Sequence, residues 1–165
     1  MKKVLVYSDS LFFDLHIPES LISIHVESFN GITAEEAVLW LDWDDPRSLR
    51  FMLEEDAYNI VLICFGTNDV GANISPTDVV KNVMKLLNFA QERCKNVYLT
   101  LLNENDYKNN AIFNRLIRQT ISNKSSFFDF FKNIDQGLLL DGLHLNEKGK
   151  SELTSLLITM FNQDE

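Results

Sequence analysis

The chain has 165 residues, 45% apolar and 24% charged, with a formal net charge of −9. Length and composition predict one soluble globular domain over residues 1–165, large enough to bury a core. The acidic balance, with no basic block, argues against nucleic-acid or anionic-membrane partners, and no apolar window approaches the ~20 residues of a membrane span.

The opening Met1-Lys2-Lys3-Val4-Leu5-Val6-Tyr7 imitates a signal peptide, but its apolar part is too short and Ser8-Asp9-Ser10 ends it. Residues 3–7 therefore read as a strand. Only about ten residues separate Ser10 from the next strand pattern, too few for a full crossover helix. A turn or two of helix is expected there, with Phe12, Phe13 and Ile17 packing inward. Residues 21–26 alternate as a second strand, and Asn30-Gly31 is a turn. Thr33 and Glu36 form a capping box that opens a helix to about Trp43. Asp44-Asp45-Pro46 breaks it and is expected to cap a short helix ending near Glu55.

Residues 58–65 form a near-continuous apolar run ending at Gly66, the pattern of a central parallel strand covered on both faces. Ser75-Pro76-Thr77-Asp78 starts a helix with Val79, Val80, Val83, Leu86, Leu87 and Ala90 on one stripe. Residues 96–102 read as strand four. A helix over residues 109–122 is expected to turn Ile112, Leu116, Ile117 and Thr120 inward. Residues 127–131 read as a short aromatic fifth strand. Asn146 caps a last helix carrying Leu153, Leu156, Leu157 and Met160. Alternating strands and helices predict a three-layer α/β/α sandwich on a parallel sheet of about five strands.

Open sheets of this kind bind ligands outside the carboxyl ends of their strands. Ser10 follows strand one, Gly31 strand two, Asn68 strand three, and Asp141 to His144 follow strand five, so all converge on one rim. A serine needs an adjacent base, which His144 can supply. The imidazole needs a partner to set its tautomer, and Asp141 lies three residues before it. The tetrahedral intermediate needs donors aimed at its oxyanion: the Ser10 and Gly31 N–H groups and the Asn68 amide fit that role. Asp9, Gly66 and Asp69 flank these groups as supporting or substrate-loop residues. Asp69 orders the Asn68 loop or, as an alternative, orients the base. Each piece alone reads as an ordinary turn or cap; their order and common location carry the inference.

These blocks resemble the SGNH hydrolases, the GDSL-type esterases and lipases. Ser8-Asp9-Ser10-Leu11 is similar to the first block, with Ser10 as nucleophile. Asn30-Gly31 with Thr33 is similar to the second, Gly66-Thr67-Asn68-Asp69 to the third, and Asp141-Gly142-Leu143-His144-Leu145 to the last. The resemblance implies a flavodoxin-like fold, ester hydrolysis through an acyl-enzyme, and no metal or organic cofactor. It also leaves thioester, lysophospholipid and acetylated-sugar substrates open. Ser8 stands where the family has glycine. It is strained if the position needs positive φ, and it narrows the site if glycine only leaves room.

The expectation is a cytoplasmic serine esterase acting on small-molecule esters of short acyl or acetyl groups, through Ser10, His144 and Asp141. The alternatives are a thioesterase, lysophospholipase or carbohydrate deacetylase on the same machinery, a catalytically degenerate binding module, or a flavodoxin-like ligand binder. A monomer is expected, or a weak homodimer through exposed Trp40 or Trp43. Cys64, in an apolar run, and Cys94, near a helix end, fit a reducing compartment without disulfides. His16, His25 and His144 lack metal-ligand spacing. The Asp42 to Asp45 acids lack the spacing of a calcium loop. Phe12 and Phe13 are assigned to the core rather than to an acyl pocket, and the polar loop 103–110 is placed on the active rim.

Overall fold

A computed structural model describes residues 2–15, 17, 22–43, 45–121 and 127–163. Five parallel strands, β1 (Lys2–Ser8), β2 (Ile22–Ser28), β3 (Ile60–Cys64), β4 (Asn96–Thr100) and β5 (Phe127–Phe128), form one sheet in the order β2-β1-β3-β4-β5. That order places a topological switch point between β1 and β3, where such sheets open a crevice at their carboxyl edge.

The pleat sends alternate residues to opposite faces. Leu5, Tyr7, Val61 and Ile63 pack under α1 (Ala34–Leu41), α2 (Leu49–Glu55), α4 (Pro76–Gln91) and α5 (Asn110–Thr120). Val4, Val6, Ile60, Leu62 and Cys64 pack under α6 (Glu147–Gln163) and the turn after β1. β3 is buried along its whole length, which explains its unbroken apolar sequence. The sandwich is therefore three layers, as the alternation of elements requires.

Local signals act as expected at several ends. Thr33 and Glu36 make the reciprocal capping box of α1. Ser75 caps α4 with Pro76 at its first turn. Asn146 Oδ1 accepts from Gly149 N at 3.0 Å, capping α6.

Other expectations give way to tertiary context. α2 is capped by Ser48, not by the preceding acids. Asp45 instead accepts from Arg47 N at 2.9 Å and holds its guanidinium at 2.8 Å; Asp44 lies outside the described residues. α5 buries Asn110, Phe113, Asn114 and the expected Ile117, with the expected Leu116 packed partly buried against the core and Thr120 exposed. The exposed Thr120 hydroxyl bonds back to Leu116 O at 3.0 Å. Asn114 is inside because its amide pairs both ways with the Leu102 backbone, at 2.9 and 2.8 Å, tying α5 to the end of β4. On α6, Phe161 joins Leu153 and Leu157 in the core while Leu156 is exposed. β5 spans only Phe127–Phe128, short of the expected residue 131.

Trp40 is buried edge-on against Phe29, under the Arg47 guanidinium, so of the two tryptophans only Trp43 is exposed. Cys64 and Cys94 are buried free thiols, and burial pushes the Cys64 thiol well up. His25 bonds Tyr58 Oη and Glu27 on and before the strands, away from His144; His16 lies outside the described residues. No helix among the described residues is long and apolar enough to cross a membrane.

Candidate active site

Ser10 leaves β1 in a single 3₁₀ turn, Ser10–Phe12, capped by Asp9, whose Oδ1 accepts from Leu11 N at 3.2 Å. This turn is the short piece of helix expected after β1. In a 3₁₀ turn, residues i and i+3 eclipse, so Phe13 shares the side of Ser10. Phe12 falls into the core, but Phe13 is 53% exposed and lines a cleft with Ser10.

His144 reaches this serine from the loop before α6. Its Nε2 lies 3.1 Å from Ser10 Oγ, and its Nδ1 lies 2.7 Å from Asp141 Oδ2. An ionised carboxylate can only accept, so Nδ1 carries the proton and the bare Nε2 accepts from the serine hydroxyl. Asp141 does more than orient the ring. Its Oδ1 accepts from the backbone N–H groups of Leu143 and His144, at 3.0 and 2.7 Å. These bonds close a tight turn that Gly142 enables at φ 86°. The His144 ring first, and these two N–H groups next, hold the Asp141 carboxyl well below the usual carboxylate range. Leu140 N donates to His144 O at 2.7 Å, and Asn146 Nδ2 donates to Gly137 O at 2.9 Å, fastening the loop to the helix it precedes.

Of the expected oxyanion donors, Ser10 and Gly31 line the cleft with His144, whereas Asn68 is not among its lining residues. Gly31 occupies the turn after β2 at φ 74° and lines the cleft with Asn30. Asn68 lies in the first turn of α3 (Thr67–Gly71), and its Nδ2 donates to Ile32 O at 2.9 Å. The amide has a second N–H to offer. Gly66 turns the chain from β3 into α3 at φ 124°, a conformation for glycine alone, and its α-carbon faces Leu102 and Val79. Gly66 therefore supports the Asn68 loop from the core side and does not line the cleft.

Asp69 is fully buried, and its Oδ2 accepts from Ala34 N at 2.8 Å, at the start of α1. It ties the Asn68 loop to the Gly31 segment; the carboxylate on the histidine is that of Asp141. Ser8 is not strained: it lies in β1, and the positive-φ residues other than glycine among the described residues are Asp14 and Asn73. Its buried hydroxyl donates to Asp9 O at 2.9 Å and does not line the cleft.

The cleft has a volume of about 440 Å³. Leu11, Phe13, Leu140 and Leu145 supply its apolar walls; Asp14 and Lys150, paired at 3.4 Å, lie at its edge. Sequence reasoning missed Leu140, Asp14 and Lys150. One signal was available: Lys150 stands one helical turn after the capping Asn146. The polar loop 103–110 is not part of the lining, although Asp106 feels the charges of Asp141 and His144.

A family model for the GDSL-like lipase/acylhydrolase family matches residues 14–151. The chain belongs to that family. The matched stretch begins after Ser10 and covers the other blocks. The fold is shared with solved family structures at low identity. One is the psychrotrophic esterase EstA from Pseudoalteromonas sp., 17% identical with a TM-score of 0.74, over 99% of this chain and 98% of that one. A second is a member of the lipolytic protein G-D-S-L family from Veillonella parvula, 14% identical, TM-score 0.71, over 99% and 100%. A third is a GDSL-like lipase from Bacteroides thetaiotaomicron, 16% identical, TM-score 0.71, over 99% and 89%. No curated protein matches the chain.

Proposed function

We propose that this GDSL-family chain is a serine esterase that cleaves short-chain carboxylic esters through an acyl-enzyme on Ser10. The observation that carries the proposal is the continuous relay Ser10 Oγ, His144 Nε2, His144 Nδ1, Asp141 Oδ2, with links of 3.1 and 2.7 Å, at the wall of the cleft.

Ser10 Oγ attacks the ester carbonyl while His144 Nε2 takes its proton. The Asp141 carboxylate stabilises the imidazolium so formed. The carbonyl oxygen becomes an oxyanion held by the Ser10 and Gly31 N–H groups and the free N–H of Asn68. His144 returns the proton to the leaving alcohol, the tetrahedral intermediate collapses, and the acyl group stays on Ser10. Water, deprotonated by the same imidazole, then releases the acid and restores the serine. The leucines and Phe13 form an apolar wall for the acyl group, and a cleft of about 440 Å³ suits small groups.

The related EstA was solved inhibited by monoethylphosphonate, and a phosphonate probe tests the same chemistry here. A fluorophosphonate should label the wild type but neither Ser10→Ala nor His144→Ala. Failure to label folded wild type would sink the proposal. Among p-nitrophenyl esters, acetate and butyrate should be turned over best; a wide preference for long acyl chains or for acyl thioesters would redirect it.

A further inference from the structure

Two buried acids remain that the relay does not use. Asp9 and Asp69 are each fully buried, and Asp9 Oδ2 and Asp69 Oδ1 have no hydrogen-bond partner among the described residues. No ion pair among the described residues reaches either. The charged groups acting on them are acidic: Asp69 on Asp9, and Glu35 at the start of α1 on Asp69; the neutral Cys64 thiol faces Asp9 from β3. Two buried charges of one sign that act on each other without a counterion are costly, and neutralising one of them relieves that cost.

The surroundings decide which. Burial raises the Asp69 carboxyl as well, but Asp69 sits at the N-terminus of α1, where Ala34 N donates at 2.8 Å, further backbone N–H groups oppose the rise and the helix dipole favours an anion. Asp9 has only the N–H groups of one 3₁₀ turn and of the short α3 beside it.

Asp9 also stands where three parts of the proposed oxyanion hole meet. Its backbone N donates to Cys64 O at 2.8 Å, at the end of β3. Its carbonyl accepts from Ser8 Oγ at 2.9 Å and from Ser28 Oγ at 2.6 Å, just before the Asn30-Gly31 turn. Its carboxyl faces the N–H groups of Leu11, in the Ser10 turn, and Thr67, beside Asn68.

We propose that Asp9 is kept as a neutral acid beside an ionised Asp69, and that its carboxyl is a positioning group holding the Ser10 turn against the Asn68 helix. The proton resides on Oδ2, the oxygen without a partner. Burial and the Asp69 charge push the Asp9 carboxyl up to about 7. The native state then holds this proton more tightly than the unfolded chain, whose aspartates titrate near ~3.9. This group's contribution to stability is greatest in acid and is lost as pH rises through about 7. The positioning part rests on the esterase proposal; the proton assignment does not.

The test compares Asp9→Asn, which mimics the neutral acid, with Asp9→Leu, which removes every polar contact. Asp9→Asn should keep kcat on p-nitrophenyl acetate within ~3-fold, while Asp9→Leu should lower kcat ~10–100-fold with KM little changed, as for displaced oxyanion donors. The infrared spectrum of wild type at pH 6 should contain a buried carboxylic-acid C=O band that Asp9→Asn removes. The fall in Tm between pH 5 and 8 should be shallower in Asp9→Asn. Loss of activity in Asp9→Asn as large as in Asp9→Leu, or a wild type without the infrared band, would overturn the proposal. Should Asp9→Leu not fold, the asparagine variant and the band still decide. A wild type that keeps the band but is not labelled by fluorophosphonate would sink the esterase proposal and leave the proton assignment standing.

Discussion

The two sides of the candidate site are built differently. The side carrying the serine and the proposed oxyanion donors grows from the ends of three adjacent strands and rests on interior residues: Ser8, Asp9 and Asp69 are fully buried and Ser10 nearly so, while Asn68 is half-buried and Gly31 is exposed. Its segments are bound to one another, Asn68 to Ile32, Asp69 to Ala34, and Asp9 to Ser28 and Cys64. The acid–base side lies on a loop, with the Asp141 and His144 side chains 52% and 39% exposed. It holds its shape through its own turn, in which one carboxylate serves both the backbone and the imidazole. Preorganised dipoles must stay fixed to stabilise a developing charge, which the bonds between these segments provide. A base must exchange protons with alcohol and water, which an exposed loop permits.

This contrast predicts that damage on the loop side separates activity from stability, whereas damage on the strand side joins them. The largest effect is expected for Asp141→Asn. It keeps the turn's shape but removes the carboxylate that fixes the histidine tautomer, and kcat should fall by up to ~10⁴-fold with Tm nearly unchanged. Thermal melts beside p-nitrophenyl acetate kinetics check this; a large drop in Tm would show that the loop is part of the fold's support.

Asn68→Ala should lower kcat by ~10²–10³ with a smaller change in KM, the signature of a donor used in the transition state. It also severs the link to Ile32, so a measurable loss of stability should accompany it; a change confined to KM would remove Asn68 from the oxyanion hole. Gly66→Ala is the smallest chemical change and sharpens the comparison most. It forces a side chain into φ 124° with a Cβ 3.3 Å from Leu102 and Val79. It should destabilise the fold by ~1–3 kcal/mol in denaturant melts and lower kcat through the displaced Asn68. Unchanged stability would mean that the α3 turn relaxes independently of the core.

Much of this was legible in the chain because the signals are local or periodic. The apolar run before Gly66 announced a doubly covered strand, and Thr33 with Glu36 announced a helix start. The order of Ser10, Gly31, Asn68 and Asp141 to His144 pointed to one edge, and Ser10, Gly31, Asp141 and His144 do meet at one cleft, the last two from the loop before α6. What was misread depended on contacts and turns that hydrophobic period does not encode. The inward face of α5 was drawn without Asn114, whose amide is held at both ends by the Leu102 backbone. Phe13 looked like core until the 3₁₀ turn set it beside Ser10.

By itself, the sequence determined the three-layer class, the strand ends that Ser10, Gly31 and Asn68 follow, and the membership of the two turns that carry Asn68 and His144. These follow from hydrophobic period and turn chemistry, which act over a few residues. Only the tertiary structure decided the strand order, the 3.1 Å approach of His144 to a serine 134 positions away, and the burial of two acids with no counterion among the described residues. Those are set by packing and desolvation, which depend on what the whole chain brings together.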